Sequence, residues 1–394
     1  MTALRTALKT DQILKKLAKS PLTLNVMTWA YWNDKELPRI NSFEERRKHL
    51  FDRYIQRMFD RRKKEDSKDP NQGGTEQPYL QDQTEGWLNF LAYQMMQKSQ
   101  TIFLIEEIQP DWLKSDLAKN IYSILYAFVN GLLLFLLINF TFIIGSLFFQ
   151  GSLEYESIKL SLWGGLISGL IYTVTTLITN YESVFSNEKT QIQTIETLKW
   201  SWKRFWRILP SSILLLFIFL QIAKSCFNKE WITFEFWKII ETNLIVGFVP
   251  IILTKVMEGP NLDIDKKTFP NQGIRLTAIN SALFSVPYVF IGTLVFWGIF
   301  MWQKFDLITS LSVAPIGGIF YGLTMWFSYA KAIFQHFFVR LLLRCYGYIP
   351  WDYAHFLDHA TERIFLQKVG GGYIFIHRLL QEHFANRKEN EVKK

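Results

Sequence analysis

The sequence predicts a mostly α, multi-spanning membrane protein of about six transmembrane helices, with a soluble helical segment at each end. Two observations carry this. Between Lys119 and Glu154, between Arg275 and Lys304, and between Asp306 and Lys331 there is no Asp, Glu, Lys or Arg. The cations gather instead at the two ends and in short connections. A spanning helix needs about 20 predominantly apolar residues, and buried helices of soluble proteins seldom run that long without a charge. Three such runs argue against a large soluble core, even though 20% of the 394 residues are charged.

The soluble ends come first. Residues 1–62 read as a cytosolic helical segment: Ile13, Leu14, Leu17, Leu22, Leu24, Val26 and Met27 recur at near-helical spacing, broken at Pro21. From Phe43 to Met58 the pattern is again amphipathic. Residues 63–86, rich in charge, Gly and Pro around RRKKEDSKDPNQGGTEQP, read as a flexible linker. Residues 87–117 are expected to be cytosolic helices, with periodicity from Trp87 to Trp112 and a stop at Pro110.

The membrane region is expected over residues 118–335, with spans at about 121–149, 161–180, 208–223, 239–254, 276–302 and 307–330. The third and fourth are near or below the length of a crossing helix, so a re-entrant or interfacial hairpin is their alternative. Loop charge tests the orientation. The second-to-third connection holds Lys189, Lys199, Lys203, Arg204 and Arg207, and the fourth-to-fifth holds Lys255, Lys266, Lys267 and Arg275. The intervening connections carry fewer cations, which places both termini in the cytoplasm. The start of the chain has no apolar core before a small-residue cleavage site, so the first span is expected to be the insertion signal. The formal charge of +9 is therefore assigned to topology and not to nucleic acid. Cys226 and Cys345, far apart, make no disulfide framework.

Gly164, Gly165 and Gly169 in the second span are echoed by Gly317, Gly318 and Gly322 in the sixth. Glycines four apart share a helix face and let two backbones approach closely, so helix packing is the expected role and a transport pathway the alternative. No phosphate-binding G-x-x-x-x-G-K-[ST] loop, G-x-S-x-G elbow or H-E-x-x-H pair is present. His355 and His359 lie four apart but bring no further ligand, so they read as an exposed helical pair and no metal is expected. Glu241 is the only carboxylate inside an expected span, within a turn of the interface, where it can reach water.

Residues 336–394 read as a small C-terminal unit. Pro350 opens a helix to about Arg363, Ile364–Lys368 and Tyr373–Ile376 alternate like two strands around Gly370, Gly371 and Gly372, and a final helix starts near His377. Helix, hairpin and helix make a winged-helix-like pattern.

The run Phe375-Ile376-His377-Arg378-Leu379-Leu380-Gln381-Glu382-His383-Phe384-Ala385 resembles the F-x-H-x-x-x-Q-E-[YF]-x-A signature that ends the winged helix of NACHT-type signalling ATPases of the STAND class. His383 stands where that family has an aromatic residue. Leu17-Ala18-Lys19-Ser20-Pro21-Leu22-Thr23-Leu24 resembles the helical segment that follows the family's nucleotide-binding core. TLKWSWKRFW (197–206), FPNQGIR (269–275) and GYIPWDYAHFLDHATERIFLQKVGGGYIFIHRLL (347–380) look like a cyanobacterial subgroup with inserted transmembrane helices. By that resemblance Pro21 lies against the adenine and His377 reaches the β-phosphate of bound ADP. The P-loop and Walker B strand that precede this region in the family are not in this sequence, so the resemblance is to a C-terminal half.

The resemblance implies a non-catalytic, membrane-embedded part of a nucleotide-dependent signalling switch in stress or defence. It implies no cofactor for this chain alone and ADP or ATP with a P-loop NTPase half, or with further copies of the chain, as partner. The bilayer would be a plasma or thylakoid membrane. A small channel or transporter with cytosolic ends is the alternative, and an inert remnant of a truncated gene a further one.

Overall fold

The computed structural model describes residues 2–32, 34, 37–38, 40, 42–66, 79–150, 155–185, 192, 199–200, 203, 206–207, 210, 257–258, 267–302 and 306–392. In chain order the first helices are α1 (Thr2–Thr10), α2 (Gln12–Leu17), α3 (Pro21–Ala30), α4 (Phe43–Asp66) and α5 (Gln81–Gln97). Two long helices follow, α6 (Asp116–Gln150) and α7 (Tyr155–Phe185), then the short strands β1 (Lys199–Trp200) and β2 (Met257–Glu258). Next come α8 (Gln272–Trp302), α9 (Leu307–Tyr329) and α10 (Lys331–Cys345). The chain closes with α11 (Tyr353–Glu362), β3 (Leu366–Val369), β4 (Gly372–Phe375) and α12 (Arg378–Val392). One unit joins Met1–Glu107 and Thr268–Pro270 to Leu343–Lys394; the other comprises Ile108–Lys267 and Asn271–Leu342.

The first unit is thus built from both ends of the chain. Asp11 caps α2, accepting from the amides of Ile13 (2.8 Å) and Leu14 (3.1 Å). Its carboxylate also receives the buried Arg46 at 2.5 Å. Burial pushes the Asp11 carboxyl up, but these bonds outweigh it and hold it below its ordinary range. Pro21, where the periodicity breaks, occupies the first position of α3, where the lost N–H has no helical partner to miss. Helix α4 runs past Met58 to Asp66, taking in the start of the expected linker, whose residues 67–78 lie outside those described. It buries Leu50, Phe51, Tyr54, Ile55, Met58 and Phe59, each worth about 1.5–3 kcal/mol out of water.

Helix α5 starts before Trp87 and stops at Gln97, far short of Trp112. Ser99 turns into the left-handed region (φ 52°), and the Gln100 amide reaches back to the Met95 carbonyl at 2.9 Å, closing the helix end. Only single turns, Ile105–Glu107 and Pro110–Trp112, follow where a helix was expected. At the other end of the chain, Asp352 and not Pro350 caps α11, its carboxylate taking the His355 amide at 3.1 Å. Strands β3 and β4 pair antiparallel from Leu366↔Phe375 to Val369↔Gly372, with Gly370 at φ 57° in the turn. Phe103 then pairs with Tyr373 on the far side of β4, amide to carbonyl at 2.8 and 2.9 Å in the two directions. A Cβ on Gly372 would meet the Phe103 carbonyl at 2.9 Å, so this close approach needs glycine there.

Among the described residues of the second unit, four helices are long and apolar enough to cross a membrane: Asp116–Phe140, Ser161–Thr179, Gln272–Met301 and Leu307–Tyr329. They coincide with the first, second, fifth and sixth expected spans. The third and fourth, over 208–223 and 239–254 and including Glu241, fall outside the described residues apart from an isolated position, as does Cys226. Around that segment Lys199 pairs with Glu258 and Trp200 with Met257 in a short antiparallel ladder. Ile124, Phe128, Leu132, Leu136 and Phe140 form an exposed stripe along α6, and Leu283, Val286, Phe290 and Leu294 one along α8. Such large outward apolar faces suit hydrocarbon and not water.

Glycine sets the packing within this unit. Gly131 on α6 and Gly169 on α7 meet backbone to backbone; a Cβ on Gly169 would stand 2.8 Å from the Gly131 carbonyl. A Cβ on Gly165 would overlap the Asn139 amide, whose oxygen accepts from the Ser161 hydroxyl at 3.2 Å. Gly318 and Gly322 leave the same space for Val289 and Thr293 of α8. These contacts support the packing role of both glycine patterns, although a Cβ on Gly164 would meet nothing. Polar side chains in the spans bond inward: Asn130 to the Tyr126 carbonyl (2.7 Å), Thr173 to Gly169 (2.8 Å), Thr293 to Val289 (2.8 Å).

Candidate functional site

The first turn of α3 and the residue before α12 meet. Thr23, 1% exposed, faces inward because Val26, Met27 and Ala30 share its side of the helix. Its hydroxyl lies 3.2 Å from His377 Nε2, although the two are 354 residues apart in sequence. His377 directly precedes α12, and its carbonyl accepts from the amides of Leu380 (3.0 Å) and Gln381 (3.1 Å). Its Nδ1 accepts from the Leu379 amide at 2.9 Å, which makes Nδ1 the bare nitrogen. Nε2 therefore carries the proton and donates to Thr23. Burial lowers the imidazole's pKa, opposed by the Glu382 carboxylate, so the ring is neutral at pH 7. The Phe51 ring lies 6.2 Å away.

Both residues singled out by the family resemblance belong to this junction. Pro21 stands exposed at the head of α3, two positions before Thr23, and it is Thr23 that meets His377. Thr23 itself is a plain threonine in an amphipathic run and gave no sequence signal.

A second set of contacts fastens α12 to α4 and α5. His383 donates Nε2–H to Asp52 at 2.9 Å, Arg387 reaches Asp52 at 2.6 Å and Glu85 at 2.5 Å. Burial pushes the Asp52 carboxyl up, but the hydrogen bonds and charges of His383 and Arg387 outweigh it and hold the carboxyl below its usual range. His383 is the departure from the family signature, and here its ring N–H makes a hydrogen bond to Asp52 that a phenylalanine could not. A charged cleft of about 510 Å³ opens beside it, over Arg47, Lys48, Asp52 and Arg387. Tyr54 donates to the carbonyl of Ile364 at 2.8 Å, and that Ile sits at φ 59°, a strained position for a β-branched residue.

The expected exposed pair of histidines is not one. His355 is exposed and lies 3.2 Å from the Tyr79 hydroxyl, but His359 is buried with its ring 5.4 Å from the Tyr79 ring. Tyr79 packs on their side of α11, so the face turns inward at its second histidine. Among the described residues no three His, Cys, Asp or Glu side chains gather.

The class these features define is a mostly helical protein with, among the described residues, four helices able by length and composition to span a membrane, and a second compact unit assembled from both ends of the sequence. Comparison with protein families, with curated proteins and with solved structures finds no match.

Proposed function

We propose that this chain is the non-catalytic, membrane-embedded part of a NACHT-like nucleotide-dependent switch for stress or defence signalling. The observation that carries the reading is the hydrogen bond from His377 to Thr23 at 3.2 Å. It couples the helix headed by Pro21 to the helix headed by His377, the two positions the resemblance assigns to adenine and β-phosphate. Further support comes from α11, the β3–β4 hairpin and α12, which with the Phe103 pairing have the make-up of a winged helix with three strand positions.

The chemistry is direct. A neutral imidazole at a helix N-terminus offers one N–H to an anion, and the helix dipole favours negative charge at that end. A diphosphate oxygen would compete with Thr23 for the Nε2 proton. Nucleotide occupancy would thus be read as making or releasing the α3–α12 contact, and the inserted spans would carry the change to the bilayer. The site lacks a phosphate loop of its own, so the nucleotide comes with a P-loop NTPase half, or in an assembly that includes one. Six spans with both termini in the cytoplasm, of the plasma or thylakoid membrane, complete the reading.

The test is hydrogen exchange on the full chain in nanodiscs, with ADP, with and without an added P-loop NTPase polypeptide. Slower exchange at Leu379 and Leu380 only when both are added, lost in His377→Ala, is the expected result. Magnesium-dependent ATP hydrolysis by the chain alone would overturn it, as would solute flux from liposomes holding no partner.

A further inference from the structure

One face of α3 is left uncovered within its own unit. Leu22, Asn25 and Trp29 recur at three- and four-residue intervals on the side opposite Thr23, Val26, Met27 and Ala30, and Trp32 follows in the turn just past the helix end. Leu22 is 53% exposed, Trp29 37% and Trp32 49%. The two indoles stack with centroids 6.3 Å apart. A basic stripe on α4 borders them: the Arg61 guanidinium lies 5.3 Å from the Trp29 ring, and Arg57 donates to the Trp32 carbonyl at 2.7 Å. Arg53 and Arg57 share the carboxylate of Asp34, and Asp60 adjoins Arg61 in sequence, so three guanidiniums are set against two carboxylates. On the N-terminal side Lys15, Lys16 and Lys19 are exposed, while Asp11, the only acid before Asp34, is already held by Arg46.

We propose that this face is a peripheral membrane anchor, which lays α3 on the anionic headgroup surface of a bilayer. Three physical points select that occupant. Indole rings favour the headgroup level of a membrane, where an apolar body and a polar N–H are both satisfied. Guanidinium and ammonium groups beside them are attracted to anionic lipid. The same chain carries helices able to span the bilayer, so the surface is tethered to its target, and even a weak patch binds when association is intramolecular. The inference stands apart from the nucleotide reading. Pro21 lies on the exposed side of α3 too, so a polypeptide seated on Pro21 would displace lipid from this face.

The test places an environment-sensitive fluorophore at Asn25→Cys, with Cys226 and Cys345 replaced by serine, in the full chain in nanodiscs. With phosphatidylglycerol present, the expected signal is a blue shift and quenching by brominated acyl chains. Both should fall away in pure phosphatidylcholine, at high salt, and in Trp29→Glu/Trp32→Glu. A probe that stays in an aqueous environment in anionic nanodiscs overturns the proposal without relying on any change to the indoles. So does a blue shift that appears only on adding a second polypeptide or on raising protein concentration, which would identify a protein occupant.

Discussion

The two units pack their helices by different means. In the soluble unit the contacts are bulky: Phe356 lies between Trp87 (5.1 Å), Tyr79 (5.7 Å) and Tyr353 (5.9 Å), and the outer layer is held by paired charges such as Asp52 and Arg387. The other unit also has a buried cluster, of Tyr288, Tyr321, Met325 and Tyr329, but adds many small contacts. Glycine meets backbone, hydroxyls such as that of Thr293 bond to carbonyls of their own helix, and many large apolar side chains point outward. Hydrophobic burial drives the first. In a bilayer it would contribute less to the second, because lipid tails are as apolar as leucine, and close backbone approach would take its place.

That contrast can be broken from either side. The largest effect is expected from Phe356→Ala, which removes a fully buried ring and should lower the stability of the soluble unit by about 3–5 kcal/mol in denaturant titration. The spans should be unaffected, as read by protease protection in nanodiscs. Gly318→Leu should do the converse. It forces bulk against Thr293 and the Val289 carbonyl and should cost about 1–3 kcal/mol, read as loss of α8–α9 cysteine cross-linking with the soluble melt unchanged.

Acid should weaken the first unit in at least two steps, read at His377 and at Asp52. His377 has its pKa lowered, so the unfolded chain takes up its proton first. Its contribution is complete above about pH 6.5 and is lost as pH falls below that value. Protonation also needs Nδ1, which now receives the Leu379 amide, so exchange at the start of α12 should quicken first. The Asp52 contribution persists to lower pH and is lost as pH falls below 3.8 through its depressed folded value. The smallest effect is a gain. Ile364→Gly relieves a left-handed β-branched residue and should stabilise the unit by about 0.5–1 kcal/mol. Failure of that gain would show that packing, and not backbone conformation, holds the turn.

The ends of the uncharged runs were legible because lipid imposes one rule on every residue of a span, and a rule applied everywhere leaves a pattern in sequence. The hairpin was legible for a local reason, three glycines between two alternating runs. What did not show was whatever depends on a partner distant along the chain. Ser99 ends α5 by a backbone turn that no special residue announces. Thr23 has no mark of its role, because its role is supplied by His377. Asp52 looks like any charge on the wet side of α4 until His383 and Arg387 are brought to it. His383 did stand out as a departure from a familiar signature, but only the fold shows that it brings a hydrogen bond to Asp52. His359 misled for the same reason: the ring that buries against it belongs to Tyr79.

The pairing of Phe103 with Tyr373 also fixes an order of events during synthesis. Phe103 leaves the ribosome long before its partner strand exists, and the whole second unit is translated between them. At roughly 5–20 residues per second that interval is on the order of ten seconds to a minute. Over that time α4 and α5 carry Phe51, Phe59, Phe90 and Leu91 with nothing from α11, the hairpin or α12 to cover them. The four long apolar helices are therefore synthesised before the first unit can close. A unit completed only by α11, the hairpin and α12 reports, by folding at all, that the helices before them have been made.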